Sequence, residues 1–133
     1  MLKADIEVYR QANQARFQQA WDNREARRQQ ALDTVQTVAP NIVARHSGIT
    51  AAYLFGSILQ PGSFRSDSDI DIAIEGGTAE DYFALWHELA DALPEWFIDL
   101  RDLPTDEFFT QKVHLLGKKI YDCSNACVTN GNS

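Results

Sequence analysis

Cysteine is scarce in this chain. Only Cys123 and Cys127 occur among the 133 residues, both near a polar C-terminal end. A disulfide between them is one reading. Two thiols in a reducing compartment is the favoured one, since nothing else suggests secretion. No apolar run approaches the about 20 residues of a membrane span. The start of the chain has no apolar signal-peptide core, only charged and glutamine-rich sequence. These absences give the expectation of a cytoplasmic protein without a membrane partner. Glycine and proline are missing from residues 4–38. His46, His87 and His114 lack metal-ligand spacing and read as surface or boundary residues. No internal repeat is present.

The stretch 4–38 is rich in Ala, Gln, Arg and Glu, which favour helix. It reads as one long helix of about 50 Å. A compact body of the remaining size has a radius of gyration of about 13 Å. Part of the helix must project beyond the body or fold back on it. Its apolar residues Ile6, Tyr9, Phe17, Trp21, Leu32, Val35 and Val38 form a sparse stripe. A solvated extension and a surface for self-association or for a helical partner are both open readings. Pro40 should end the helix, or kink it with Asn41–Arg45 continuing it for about another turn. His46-Ser47-Gly48 marks the stop, with Gly48 as C-terminal cap.

Charge is unevenly spread. Residues 1–50 hold seven Lys/Arg against five Asp/Glu, and residues 51–133 hold five against fourteen. The second part therefore lacks the basic excess that a long nucleic acid needs, and no direct binding of one is expected. A nucleotide arriving with a divalent cation remains compatible with it.

The stretch that carries chemistry is Tyr53–Gly76. An apolar run, Tyr53-Leu54-Phe55, stops at Gly56-Ser57. A loop with Pro61, Gly62 and Arg65 follows. Then Asp67, Asp69 and Asp71 alternate with Ser68, Ile70 and Ile72. Alternation is the signature of a strand, on which residues i and i+2 share a face. Asp69 and Asp71 then point the same way, at a cost in repulsion that a divalent cation would remove.

A Gly-Ser pair ending one strand, with Asp-x-Asp on the next, resembles the polymerase-beta-type nucleotidyltransferase superfamily, in its minimal nucleotidyltransferase branch. Gly56, Ser57, Asp69 and Asp71 match the motif. Eleven residues separate Ser57 from Asp69, one more than the commonest spacing, so Asp67 with Asp69 is a second register. The resemblance covers about residues 51–122. It implies α/β architecture: a small mixed sheet with packed helices, preceded here by the long N-terminal helix. The expected division is 1–48 helical extension, 49–122 nucleotidyltransferase domain and 123–133 disordered tail.

Further elements are read from the residues. Thr78 caps a helix to about Leu93, with Asp81 completing a capping box. Tyr82, Phe83, Leu85, Trp86, Leu89 and Leu93 are expected to face inward. Pro94 stops it, Trp96–Leu100 forms strand three, and a short helix after Pro104-Thr105 ends at Gly117. Lys118–Tyr121 is a last strand. Asp99 lies in the apolar run Trp96-Phe97-Ile98-Asp99-Leu100, where burial without a partner is costly. Arg101 shares its face and is one partner. The resemblance offers another role, third carboxylate beside Asp69 and Asp71, and this is preferred.

The resemblance implies Mg²⁺ held by Asp69, Asp71 and Asp99, with two ions suiting the set, and ATP as substrate. Gly56 and Ser57 would hold the β and γ phosphates. Arg65 would contact a phosphate or pair with Asp67, and Ser68 would hydrogen-bond near the phosphates. The implied partner is a small helical HEPN-domain protein, toward which the nucleotidyltransferase acts as antitoxin by adenylylating or binding it. A non-catalytic binding module and a small-molecule nucleotidyltransferase of the aminoglycoside-modifying kind are the alternatives.

Overall fold

The computed structural model of the chain describes residues 3–124. Cys127, most of the expected tail and any pairing of the two cysteines lie outside the described residues. Helix α1 spans Lys3–Val43 and strand β1 Ile49–Phe55. A 3₁₀ turn, Gly56–Leu59, follows directly. Then come β2 (Ile70–Gly76), α2 (Ala79–Ala92), β3 (Ile98–Leu103), α3 (Glu107–Leu116) and β4 (Lys118–Asp122). The sheet order is β3-β2-β1-β4. β1 runs antiparallel to both β2 and β4, whereas β2 and β3 are parallel. A parallel pair needs a long crossover, and α2 supplies it.

The sheet has two unlike faces. Ala52, Leu54, Ile70, Ile72, Ile74, Ile98 and Leu100 enter the main core with residues of α1 and α2. Ala51, Tyr53, Ala73 and Leu103 form a smaller cluster with Val113 of α3. The isoleucines of β2 thus take the face opposite Asp71, as alternation requires.

α1 takes the longer of the two expected courses. It runs for 41 residues without a break at Pro40, a length of about 60 Å. Proline in a helix interior costs about 3 kcal/mol. Here Ala31, Val35, Ala39, Ile42 and Val43 are all buried, so packing on both sides of Pro40 outweighs the lost hydrogen bond. Residues 3–23 are exposed throughout, and Ile6, Tyr9 and Phe17 face outward. Gly48 is not a left-handed cap, since among the described residues positive φ occurs only at Gly56, Gly62, Gly76 and Gly77. Its place is explained by crowding: a Cβ there would come 3.3 Å from the Gly77 Cα and 3.2 Å from the Asp81 carboxylate.

The capping box on α2 forms as expected. Thr78 Oγ1 accepts from the Asp81 N–H at 3.1 Å, and Asp81 Oδ2 accepts from the Thr78 N–H at 2.9 Å. Leu85, Leu89 and Leu93 are buried. Phe83 and Trp86 do not face inward; they are 61% and 42% exposed. The expected apolar stripe was wider than the helix face that meets the sheet. β3 also begins later than Trp96, at Ile98, and extends to Leu103. Its span follows the pairing with Ile70–Glu75 of β2 rather than the apolar run. α3 is capped by Asp106, whose side chain accepts from the Phe109 N–H, and ends at Gly117 as expected. Among the described residues no helix is long and apolar enough to cross a membrane.

Leu89 has no exposed surface and Phe17 is 77% exposed. Leu89→Ala should cost about 2–5 kcal/mol in a urea titration. Phe17→Ala in the isolated chain should change stability by less than about 0.5 kcal/mol. A comparable loss for both would mean that the first half of α1 is packed.

Candidate active site

The parallel register of β2 and β3 sets Asp71 directly opposite Asp99. Asp69 lies just before β2, two residues from Asp71. One carboxylate oxygen from each of Asp69, Asp71 and Asp99 falls within 4.8 Å of the others. Asp69 is exposed, while Asp71 and Asp99 are half-buried. Asp67 is exposed and stands outside this cluster. Asp99 is placed for either expected role. It belongs to the cluster, and it also accepts from Arg101 Nε at 3.0 Å and Nη2 at 3.3 Å. That two-point contact fixes the carboxylate plane.

The cluster is electrostatically costly. Burial first, then the charges of Asp99 and Asp69, push the Asp71 carboxyl up to about 6. Arg101 pulls the other way. Three hard oxygen donors with excess negative charge suit Mg²⁺, which is bound through carboxylates and substrate phosphates.

Gly56 shows why glycine is needed beside the cluster. Its φ is +80°, and a Cβ there would overlap the Asp71 carboxylate. Phe55, the residue before it, pairs with Asp71 across β1 and β2. The chain can therefore turn over Asp71 only without a side chain. Ser57 follows in the first turn of the 3₁₀ segment. A pocket of about 480 Å³ opens beside Gly56, lined by Phe55, Leu59, Phe109, Lys112 and Leu116 among others. Phe55 and Phe109 meet edge to face at 5.4 Å there.

Arg65 and Ser68 lie in the loop that enters β2. The Arg65 N–H donates to Ser68 Oγ at 2.8 Å. Among the described residues no carboxylate lies within ion-pair distance of the Arg65 guanidinium, so the pairing with Asp67 is not made. His46 sits at a boundary, as expected, joined to Glu88 at 2.9 Å.

Two sets of contacts around the site were not anticipated from the sequence. The first ties α1 to the loop after Ser57. Glu25 accepts from the Gly62 N–H at 2.8 Å, and Arg28 donates to the Ile58 carbonyl at 3.1 Å. Arg28 also holds Glu25 at 2.7 Å, which with the Gly62 contact keeps the Glu25 carboxyl below the usual range. Gly62 has φ +79°, and a Cβ on it would overlap the Trp21 ring. Trp21, Glu25 and Arg28 recur at helical spacing, so the sequence held a faint signal of one shared face. The second set holds the edge strand β3. Tyr82 donates its hydroxyl to the Leu100 carbonyl at 2.5 Å, and Trp86 Nε1 donates to the Ile98 carbonyl at 3.0 Å. These bonds flank Asp99.

A pH-dependent stability follows from Asp71. Its folded value, about 6, lies above the ordinary 3.8. The folded state thus binds the proton more tightly than the unfolded chain. Metal-free protein should lose stability as pH rises between these two values. In chelator, Asp71→Asn should raise the urea midpoint relative to wild type at about pH 7.5, and the gain should vanish at about pH 3.5. An equal difference at both pH values would mean that ionisation of Asp71 is not the cause.

Residues 39–126 match the family described as polymerase beta, nucleotidyltransferase. No curated protein is significantly similar to the chain. Among solved structures, a toxin–antitoxin complex named MntA-HpeT, in a doubly mutated form, is 26% identical with a TM-score of 0.56. That match covers 65% of this chain and 73% of that one. A toxin–antitoxin with AMP-PNP is 30% identical with a TM-score of 0.53, over 62% of this chain and 68% of that one. A structure from Shewanella oneidensis, 24% identical over 66% of this chain and 70% of that one, shares the fold at a TM-score of 0.51. With its carboxylate cluster set beside Gly56-Ser57 and most of its length matched, the chain belongs to the polymerase beta nucleotidyltransferase family.

Proposed function

We propose that this nucleotidyltransferase moves AMP from ATP to a hydroxyl on a small helical HEPN-domain partner, and so serves as the antitoxin of that partner. The observation that carries the reading is the meeting of Asp69, Asp71 and Asp99 beside the glycine turn. Similarity to toxin–antitoxin structures, one of them with AMP-PNP, supports the partner and the nucleotide.

Each residue then has a role. Asp69, Asp71 and Asp99 would hold Mg²⁺, which when bound offsets negative charge on the phosphates and lowers the pKa of the attacking hydroxyl. Gly56 and Ser57 would receive the β and γ phosphates through backbone N–H groups and the Ser57 hydroxyl. The acceptor oxygen attacks the α-phosphorus. The bond to the α,β-bridging oxygen breaks, and pyrophosphate leaves. Asp99 would take the hydroxyl proton, held in orientation by Arg101. Arg65 and Ser68 shape the loop into β2.

The test uses labelled ATP, Mg²⁺ and the co-expressed partner. Wild type should label the partner. Asp69→Asn with Asp71→Asn should lower labelling by at least about 100-fold. If wild type never labels the partner, yet the double variant still neutralises it, the chain acts as a binding module instead.

A further inference from the structure

Three arginines line one pocket on the α1 side of the loop that leads into Asp69. Arg24 and Arg27 from α1 and Arg65 from the loop line a pocket of about 370 Å³, with Ala20, Asn23 and Ser66. The Arg24 Nε is buried and has no hydrogen-bond partner. Among the described residues no carboxylate lies within ion-pair distance of Arg24, Arg27 or Arg65. Glu25 is the acid that feels Arg24, but its oxygens are taken up by Arg28 and the Gly62 N–H.

Three cationic residues lining one pocket with no carboxylate in reach are unfavourable in isolation. They are also out of character in a chain whose formal net charge is −7. A bound polyanion would remove the repulsion and give the buried Nε a partner. Guanidinium forks match phosphate oxygens two at a time. Six residues line the pocket, so it is short. Beyond it, residues 51–133 carry fourteen acidic against five basic side chains and would repel an extended polyanion. A compact phosphate group fits these conditions better than a nucleic-acid strand.

We propose that Arg24, Arg27 and Arg65 form a diphosphate-binding site, distinct from the carboxylate cluster. The diphosphate is either the distal phosphates of the nucleotide, which the arginines would then share with Gly56 and Ser57, or free pyrophosphate. The first source rests on the nucleotidyl-transfer reading; the second does not. Arg65 couples the pocket to the cluster along the chain, because its N–H holds Ser68, the residue before Asp69.

The experiment is calorimetry of inorganic pyrophosphate binding to the full chain in chelator, at constant ionic strength. Wild type should bind, and Arg27→Ala with Arg65→Ala should weaken binding at least tenfold. Both side chains are exposed, so circular dichroism should show the fold unchanged. Arg27→Lys with Arg65→Lys keeps the charge and should recover only part of the affinity. Asp69→Asn with Asp71→Asn should still bind. Competition separates the sources: ATP that displaces pyrophosphate assigns the site to the nucleotide's own phosphates, and ATP that does not assigns it to free pyrophosphate. Equal pyrophosphate affinity in wild type and the alanine variant would overturn the proposal. So would a single-stranded RNA oligonucleotide that binds the same arginines more tightly than pyrophosphate. Pyrophosphate binding without any AMP transfer would count against the function proposed above and leave this site standing.

Discussion

Repulsion among three carboxylates is the constraint on which the rest of this structure depends. The parallel pairing of β2 and β3 places Asp71 and Asp99 side by side, and Asp69 completes the group. Half-burial raises the cost of ionising Asp71. A structure can hold such a group only if the elements carrying it are fixed by other interactions. The isoleucines of β2 do this from the core side, where Ile70, Ile72 and Ile74 are buried beneath α1 and α2. Arg101 does it from the open side, holding Asp99 and easing Asp71.

An edge strand is the weak point of such an arrangement, because one row of its backbone groups lacks a strand partner. β3 is that edge, and it carries Asp99. Tyr82 and Trp86 answer the problem with their polar tips, bonding the carbonyls on either side of Asp99. This explains why two large aromatics of α2 stay at the rim instead of entering the core. Aromatic side chains with a polar end settle where one end is apolar and the other meets a hydrogen-bonding group.

The loop after Ser57 is fixed from a distance. Trp21, Glu25 and Arg28 lie in the part of α1 that precedes the family match at residue 39. They meet Gly62 and Ile58 by ring packing, a carboxylate and a guanidinium. The N-terminal helix is therefore attached to the turn that carries Gly56 and Ser57. The same helix face brings Arg24 and Arg27 to Arg65. Residues 3–23 are exposed throughout, a state that a helix in water tolerates only marginally by itself.

Much of the site could be read in the chain because its signals are local. The alternation Asp69-Ile70-Asp71-Ile72 specifies one acidic and one apolar face with period two. The stop at Gly56-Ser57 and the Thr78–Asp81 capping box are also decided by neighbours a few residues apart. The long helix was legible from its lack of glycine and proline, but the choice between ending at Pro40 and continuing past it was not, since that depends on the burial of Ala39, Ile42 and Val43. Nor did the apolar run around Trp96 reveal where β3 begins, since pairing with β2 sets that. The sequence alone determined that Asp67, Asp69 and Asp71 alternate with other residues toward one side, and left open which two pair. Only tertiary structure decided that Asp99 stands opposite Asp71, that Tyr82 and Trp86 pin its strand, and that three arginines from α1 and a loop meet. Those contacts join residues 12 to 41 positions apart, and register, crossover and helix docking bring them together, none of which is encoded in local spacing.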